Sequence, residues 1–145
     1  VIIGPWDAIG ELARQVREAV FVIEQAIPPD EEWDQWDPLA LHAVAVAADG
    51  EVLGTGRLLP AGFDLQAPHA AHIGRMAVMS AARRLGIGGA ILACLMREAR
   101  LRGFSIAELH AQSYVAGFYA RHGFIATGAE FLEVGIPHVK MRAAL

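Results

Sequence analysis

The chain has 145 residues, a net charge of −4, one cysteine and a 54% hydrophobic content that leans on alanine. That length suits one domain, residues 1–145, with a full core, and no apolar run approaches the roughly 18 residues that span a bilayer. Arginines are scattered rather than clustered, which argues against nucleic acid, and lone Cys94 excludes an internal disulfide, so no membrane or nucleic-acid partner and a reducing, cytoplasmic setting are expected.

In chain order, Val1-Ile2-Ile3 reads as a first strand, too short and without the basic flank of a signal peptide. Asp7 is a plausible N-cap for a helix carrying Ile9, Leu12, Ala13, Val16, Val20 and Ile23 at helical spacing, ending before Pro28-Pro29. Asp30 to Pro38 looks irregular and carries Trp33 and Trp36. Strands over 42–46 and 51–55 flank Asp49-Gly50, a two-residue hairpin signal. A loop from Pro60 to Pro68 leads into a strand over 71–79.

A helix over 87–102 follows, with Ile87, Ile91, Leu95 and Ala99 as its apolar stripe and Gly103 as its stop. Cys94, among Ile91, Leu92 and Leu95, reads as a core residue. A buried strand over 105–111, a short helix carrying Phe118 and Tyr119, and strands over 124–131 and 136–142 complete the pattern. No repeat or linker interrupts it.

The most informative stretch is Arg83-Arg84-Leu85-Gly86-Ile87-Gly88-Gly89, between a strand and a helix. Glycines let successive N–H groups turn toward one point, and the helix N-terminus adds partial positive charge, an arrangement suited to a diphosphate. A Walker loop is excluded because no lysine follows; Lys140 is the only one in the chain. The dinucleotide fingerprint lacks its third glycine.

What remains is R-x-x-G-x-G at Arg83, Gly86 and Gly88, which resembles the pyrophosphate loop of the GNAT superfamily of acyl-CoA-dependent N-acyltransferases. The segment from Gln112 to Phe124 is similar to that family's N-x-x-A-x-x-F-Y-x-x-x-G-F pattern, with Gln112 in place of Asn and Val115 in place of Ala. The ending Phe131-x-Glu133-x-Gly135-Ile136-Pro137-His138-x-x-Met141 resembles one bacterial branch, as does the early Val20-Phe21-x-x-Glu24-Gln25 with Asp34, Asp37 and His42.

The resemblance implies an α+β acyl-CoA N-acyltransferase fold. Its sheet would be mixed, mostly antiparallel and flanked by helices, with a splayed central parallel strand pair. Acetyl-CoA would be the donor, and the acceptor a primary amine of a small molecule or peptide, attacked directly in a ternary complex. The alternative is a non-catalytic module that binds acyl-CoA. The diphosphate would meet Arg83 and the N–H groups of Leu85, Gly86, Ile87, Gly88 and Gly89. Arg84 stands where glycine is commoner and either adds a charge contact or points to solvent. Backbone groups of Met76, Ala77 and Val78 would bind the arm and thioester, with the Val78 N–H polarising the carbonyl; Gln112 and Phe118 complete the cofactor set.

Tyr119 would stand beside the sulfur as acid. An attacking amine, with a pKa near 10.4, costs roughly 4 kcal/mol to deprotonate at pH 7, so a base is expected. His138 is favoured, Glu133 is next, and Glu32, Asp37, His42 and His72 are further candidates. Acidic and aromatic walls would suit a cationic acceptor: Glu32, Trp33, Asp37 and His42, with Arg75 facing the cleft or a carboxylate. His69-x-x-His72 has no third ligand nearby, so no metal is expected. An exposed strand near the C-terminus could pair two copies.

Overall fold

The computed structural model describes residues 1–145. Strand β1 (Ile2–Pro5) runs directly into helix α1 (Trp6–Arg17). Pro5, extended at φ −74°, is the N-cap, so Asp7 falls in the first turn, where its charge favours the helix dipole. The sequence predicts one helix up to Pro28; instead the α-helix gives way to a π turn over Glu18–Glu24, closed by Gln25 N–H on the Val20 carbonyl at 2.9 Å. The wider turn lets adjacent Val20 and Phe21 both be buried. The stretch read as irregular contains α2 (Pro29–Glu32), with Pro29 at a first-turn position that needs no N–H donor, and a 3-10 turn over Asp37–Leu39.

Strands β2 (Leu41–Val46) and β3 (Val52–Leu58) form the hairpin. Its turn is longer than the two residues expected: Ala47 N–H bonds the Glu51 carbonyl at 2.8 Å, leaving Ala48, Asp49 and Gly50 between them. Next come β4 (Ala70–Val78), helix α3 (Ile87–Leu101), β5 (Ile106–Gln112) and α4 (Ala116–Ala120). The single strand expected over 124–131 is broken into β6 (Ile125–Ala126) and β7 (Phe131–Glu133). Both lie along β8 (Ile136–Ala144), but Ala126 to Phe131 is five steps where the facing Met141 to His138 is three, so the extra residues leave the ladder.

The eight strands form one sheet in the order β1-β2-β3-β4-β5-β8-β6, with β7 also on β8. Every neighbouring pair is antiparallel except β4 and β5, so the mixed, mostly antiparallel architecture is the one expected. A parallel pair needs a crossover, and α3 supplies it. Ile91, Leu92, Leu95 and Ala99 of α3 pack on Ala43, Ala45, Leu58, Ala71, Ile73, Ala107, Leu109 and Ala111. Cys94 is only half-buried, because it sits beside that stripe rather than in it. Small sheet residues let the helix approach closely. At Gly56 an added Cβ would lie 2.9 Å from Leu95 and 3.0 Å from Ile91. On the opposite face α1 and the π turn cover Val44, Val52 and Ala77. No helix is long and apolar enough to cross a membrane.

Candidate active site

The site follows from how the two central strands part. β4 and β5 pair at only three positions, Ala70 with Ile106, Ala71 with Ala107 and His72 with Glu108; beyond them β4 continues to Val78 and β5 to Gln112 without a shared ladder. Between Thr55 and Arg57 of β3 the facing register on β4 slips from Ala77 to Gly74, which places an extra residue at Arg75-Met76. Arg75 takes φ +50°, a left-handed conformation uncommon outside glycine, as a bulge of this kind requires. Past the bulge, Met79 N–H bonds the Leu53 carbonyl at 2.8 Å. Alternation along a strand then turns the backbone of Val78 the other way, toward the gap, and its carbonyl there accepts Arg83 Nε at 3.0 Å.

The gap opens into a cavity of about 960 Å³. One wall is the N-terminus of α3. Gly86 caps it at φ +81°, and the first bond into the helix is Ala90 N–H to the Gly86 carbonyl, so the N–H groups of Ile87, Gly88 and Gly89 have no intrahelical partner. Space at Gly88 is tight as well: a Cβ there would lie 3.3 Å from the Phe118 ring, closer than an ordinary contact. Of the residues expected to hold a cofactor, Met76, Ala77, Val78, Arg83, Arg84, Gly86, Ile87, Gly88, Gly89, Gln112 and Phe118 all line this cavity. The Leu85 side chain faces solvent. These features fit a diphosphate at the turn and an extended arm in the gap.

Two of these side chains are already engaged. Arg83 is clamped by Glu24 of the π turn, Nη2 to Oε1 at 2.7 Å and Nη1 to Oε2 at 2.8 Å. Gln112 exchanges amide bonds with Gln25, Nε2 to Oε1 at 2.8 Å and the reverse at 3.4 Å. Consecutive residues of one turn therefore reach both sides of the fork.

Tyr119, Glu133 and His138 also line the cavity. Tyr119 is 8% exposed, and burial pushes its hydroxyl well above the ordinary phenol value with no charged neighbour to offset it. His138 is 5% exposed and lies in register with Gln112. Its Nδ1 is 2.7 Å from the Ile136 carbonyl, which can only accept, so Nδ1 carries the proton and Nε2 of the neutral ring holds the lone pair. Glu133 Oε2 stands 3.6 Å from that Nε2. The other oxygen, Oε1, is 2.9 Å from His110 Nδ1, and this bond, outweighing burial, holds the Glu133 carboxyl below its usual value.

The expected acceptor pocket is only partly assembled. Glu32 and Arg75 line the cavity, but Trp33, Asp37 and His42 do not. The Trp33 ring lies under Arg14 and Arg17, 4.4 and 4.9 Å from their guanidinium carbons. Asp37 pairs with Arg17 at 2.7 Å and Arg57 at 2.8 Å, and His42 Nε2 bonds the Asp37 carbonyl at 2.9 Å under Trp6. Asp37 belongs to a largely buried ion network joining Arg17, Arg57 and Arg75 to Glu32, Asp34 and Asp37, and Trp33 and His42 contact its members. The acids are neutralised there by arginine rather than left for a cationic ligand. Burial raises the Glu32 carboxyl despite its arginines. At Asp34 burial pulls upward too, but the bond and charge of Arg57, with help from Arg75, win and hold it at about 2.

Sequence reasoning missed His110 and Glu108, and it quoted Glu24 and Gln25 without foreseeing that they bind Arg83 and Gln112. The signal for the first two was present: Glu108, His110 and Gln112 alternate with Ala107, Leu109 and Ala111, the period-two pattern of a strand with one polar face. The partners of Glu24 and Gln25 are 59 and 87 positions away, which no local spacing reveals.

A sheet forked at its one parallel pair, bulged at the fork and faced by a glycine-capped helix, has the acyl-CoA N-acyltransferase fold. The chain belongs to the GNAT acetyltransferase family: residues 14–145 match the model of the Acetyltransferase (GNAT) domain. It is 36% identical over 129 residues to the uncharacterized N-acetyltransferase YjcF of Bacillus subtilis, covering 87% of this chain and 86% of that protein. A solved acyl-CoA N-acyltransferase from Pseudomonas aeruginosa superposes with a TM-score of 0.78 at 34% identity, covering 92% and 88% of the two chains. Escherichia coli ElaA does so with a TM-score of 0.80 at 27% identity, covering 94% and 90%.

Proposed function

We propose that the protein is an N-acetyltransferase that moves the acetyl group of acetyl-CoA to a primary amine of a small molecule or peptide by direct attack in a ternary complex. The observation that carries this reading is the fork itself: the strands part after the His72–Glu108 rung, and the gap leads from the glycine turn to Tyr119 and His138. When bound, the donor supplies an activated acyl carbon and a thiolate leaving group. Arg83 and the free N–H groups of Ile87 to Gly89 would hold its diphosphate, and the gap-facing backbone of Val78 would hold its arm and polarise its carbonyl.

His138 Nε2 takes the proton that the amine must lose as its nitrogen bonds the acyl carbon. The cavity contains no nucleophile aligned with a base, which favours direct transfer over a covalent enzyme intermediate. Tyr119 lines the same cavity and would stand beside the sulfur. Burial lifts its hydroxyl further above the ordinary 8.5 of a thiol, so complete proton transfer to sulfur is uphill; the role this supports is a hydrogen bond that strengthens as the C–S bond breaks and charge gathers on sulfur. Incubating the protein with acetyl-CoA and a panel of amines, amino sugars, amino acids and peptides should release thiol only where an amine is present. Cofactor-dependent melting stabilisation with no thiol release across the panel would sink the enzyme in favour of a binding module.

A further inference from the structure

Glu133 stands between two imidazoles, and it is unevenly shared. Oε1 is 2.9 Å from His110 Nδ1, whereas Oε2 is 3.6 Å from His138 Nε2, beyond hydrogen-bond range. The two rings differ in surroundings as well. His138 is buried, while the His110 side chain is 49% exposed. Phe131 fills the space between them, edge-on to His110 at 5.1 Å and stacked on His138 at an interplanar angle of 27°. The His138 ring is thus stacked on Phe131 and bonded through Nδ1 to the Ile136 carbonyl at 2.7 Å.

We propose that His110 is a positioning residue that holds the Glu133 carboxylate away from His138, so that the buried imidazole keeps its Nε2 lone pair at neutral pH and serves as the base. This rests on the reading of His138 as proton acceptor. A carboxylate brought to full contact with an imidazole stabilises the imidazolium and makes the ring a worse acceptor near pH 7. His110 prevents this in either of its protonation states: as a neutral donor it weakens Glu133 as a partner, and as a cation it also repels a second positive charge on His138. The sign of its effect is therefore the same in both states.

The other charges facing this array are already tied. Arg75 from the β4 bulge pairs with Glu32 at 2.9 Å. Lys140 of β8 pairs with Glu108 of β5 at 3.4 Å, and Arg142 joins them. His72 of β4 lies next to Glu108 in the ladder, and Gln112, opposite His138, is neutral.

The test is NMR of ¹³C-labelled histidine, with the six ring signals assigned by single substitution, following the titration of His138 in the free protein. In His110→Phe, which keeps an aromatic edge against Phe131 but has no donor, the His138 midpoint should rise by about one pH unit. In Glu133→Gln it should fall by a similar amount. His110→Gln, which restores a donor to Oε1, should return it toward the original value. An unmoved or lowered midpoint in His110→Phe overturns the proposal. Once an acceptor amine is known, the acid limb of kcat/KM should move in the same directions with the KM for acetyl-CoA unchanged. Full activity in His138→Gln would instead remove the base reading, an outcome separate from the titration result.

Discussion

Glu24 and Arg83 form a bidentate ion pair at the edge of the glycine turn, with both contacts below 3 Å and both side chains about two-fifths exposed. On the proposed reading, the carboxylate occupies the guanidinium that would meet a diphosphate, and it adds negative charge next to where phosphate charge would settle.

Glu24→Gln should therefore bind acetyl-CoA more tightly. A half-exposed pair is worth about 1 kcal/mol or less, so the gain should be up to about fivefold by calorimetric titration. It should shrink as salt is added. Equal or weaker binding at low salt would show that Glu24 orients Arg83 instead of competing for it.

Tyr119→Phe keeps the buried ring and loses the hydroxyl. We expect kcat to fall about 10- to 100-fold, the low end of general-acid contributions, while the KM for acetyl-CoA stays within about twofold. Stopped-time assays of thiol release read both parameters, and an unchanged kcat would remove Tyr119 from the chemistry.

Asp34 gives the ion network a pH signature. Its carboxyl is held at about 2 in the folded chain against an ordinary 3.8, so its contribution is complete above about pH 4 and lost as pH falls toward 2. Linkage puts that contribution at about 2 kcal/mol. Denaturant titrations between pH 5 and pH 2 should show the loss, and Asp34→Asn should be less stable at pH 6 with a flatter acid profile. Buried Glu32, raised rather than lowered, works in the opposite sense over its own range, so the comparison is made on the Asp34 variant alone.

Val134 is a β-branched residue at φ +46°, beside Gly135 at φ +75°, in the two-residue turn joining Glu133 to Ile136. Hairpin turns of this hand favour Asn-Gly, and a valine there is strained. Val134→Asn should raise the stability by about 1 kcal/mol, seen as a melting temperature about 2–4 °C higher by calorimetry. No gain would mean that contacts of the valine along the cavity wall offset the strain.

What could be read from the letters was what depends on short spacing. The glycine turn, the α3 stripe and the Phe118-Tyr119 helix are local, and the strands around them followed from alternation. Glu133 and His138 came from the resemblance of the ending, and the tight turn that brings them onto facing strands was not read. What escaped reading depends on partners far apart in sequence. The acids placed at an amine pocket proved to be bound by Arg17, Arg57 and Arg75, from α1, β3 and β4, up to 43 positions away. Trp33 looked like a cation-binding ring and is one, but its cations are Arg14 and Arg17. The π turn was hidden because Val20 and Ile23 keep an ordinary helical spacing while the backbone shifts by a residue.

With only three rungs of backbone ladder joining its halves, the sheet is almost two sheets laid end to end. Rigidity across that seam resides in α3, whose Ile91, Leu92, Leu95 and Ala99 share one core with both flanks, Ala71 and Ile73 on one and Ala107, Leu109 and Ala111 on the other. The helix acts as a splint, so damage to its buried stripe would loosen both lobes together rather than either one alone.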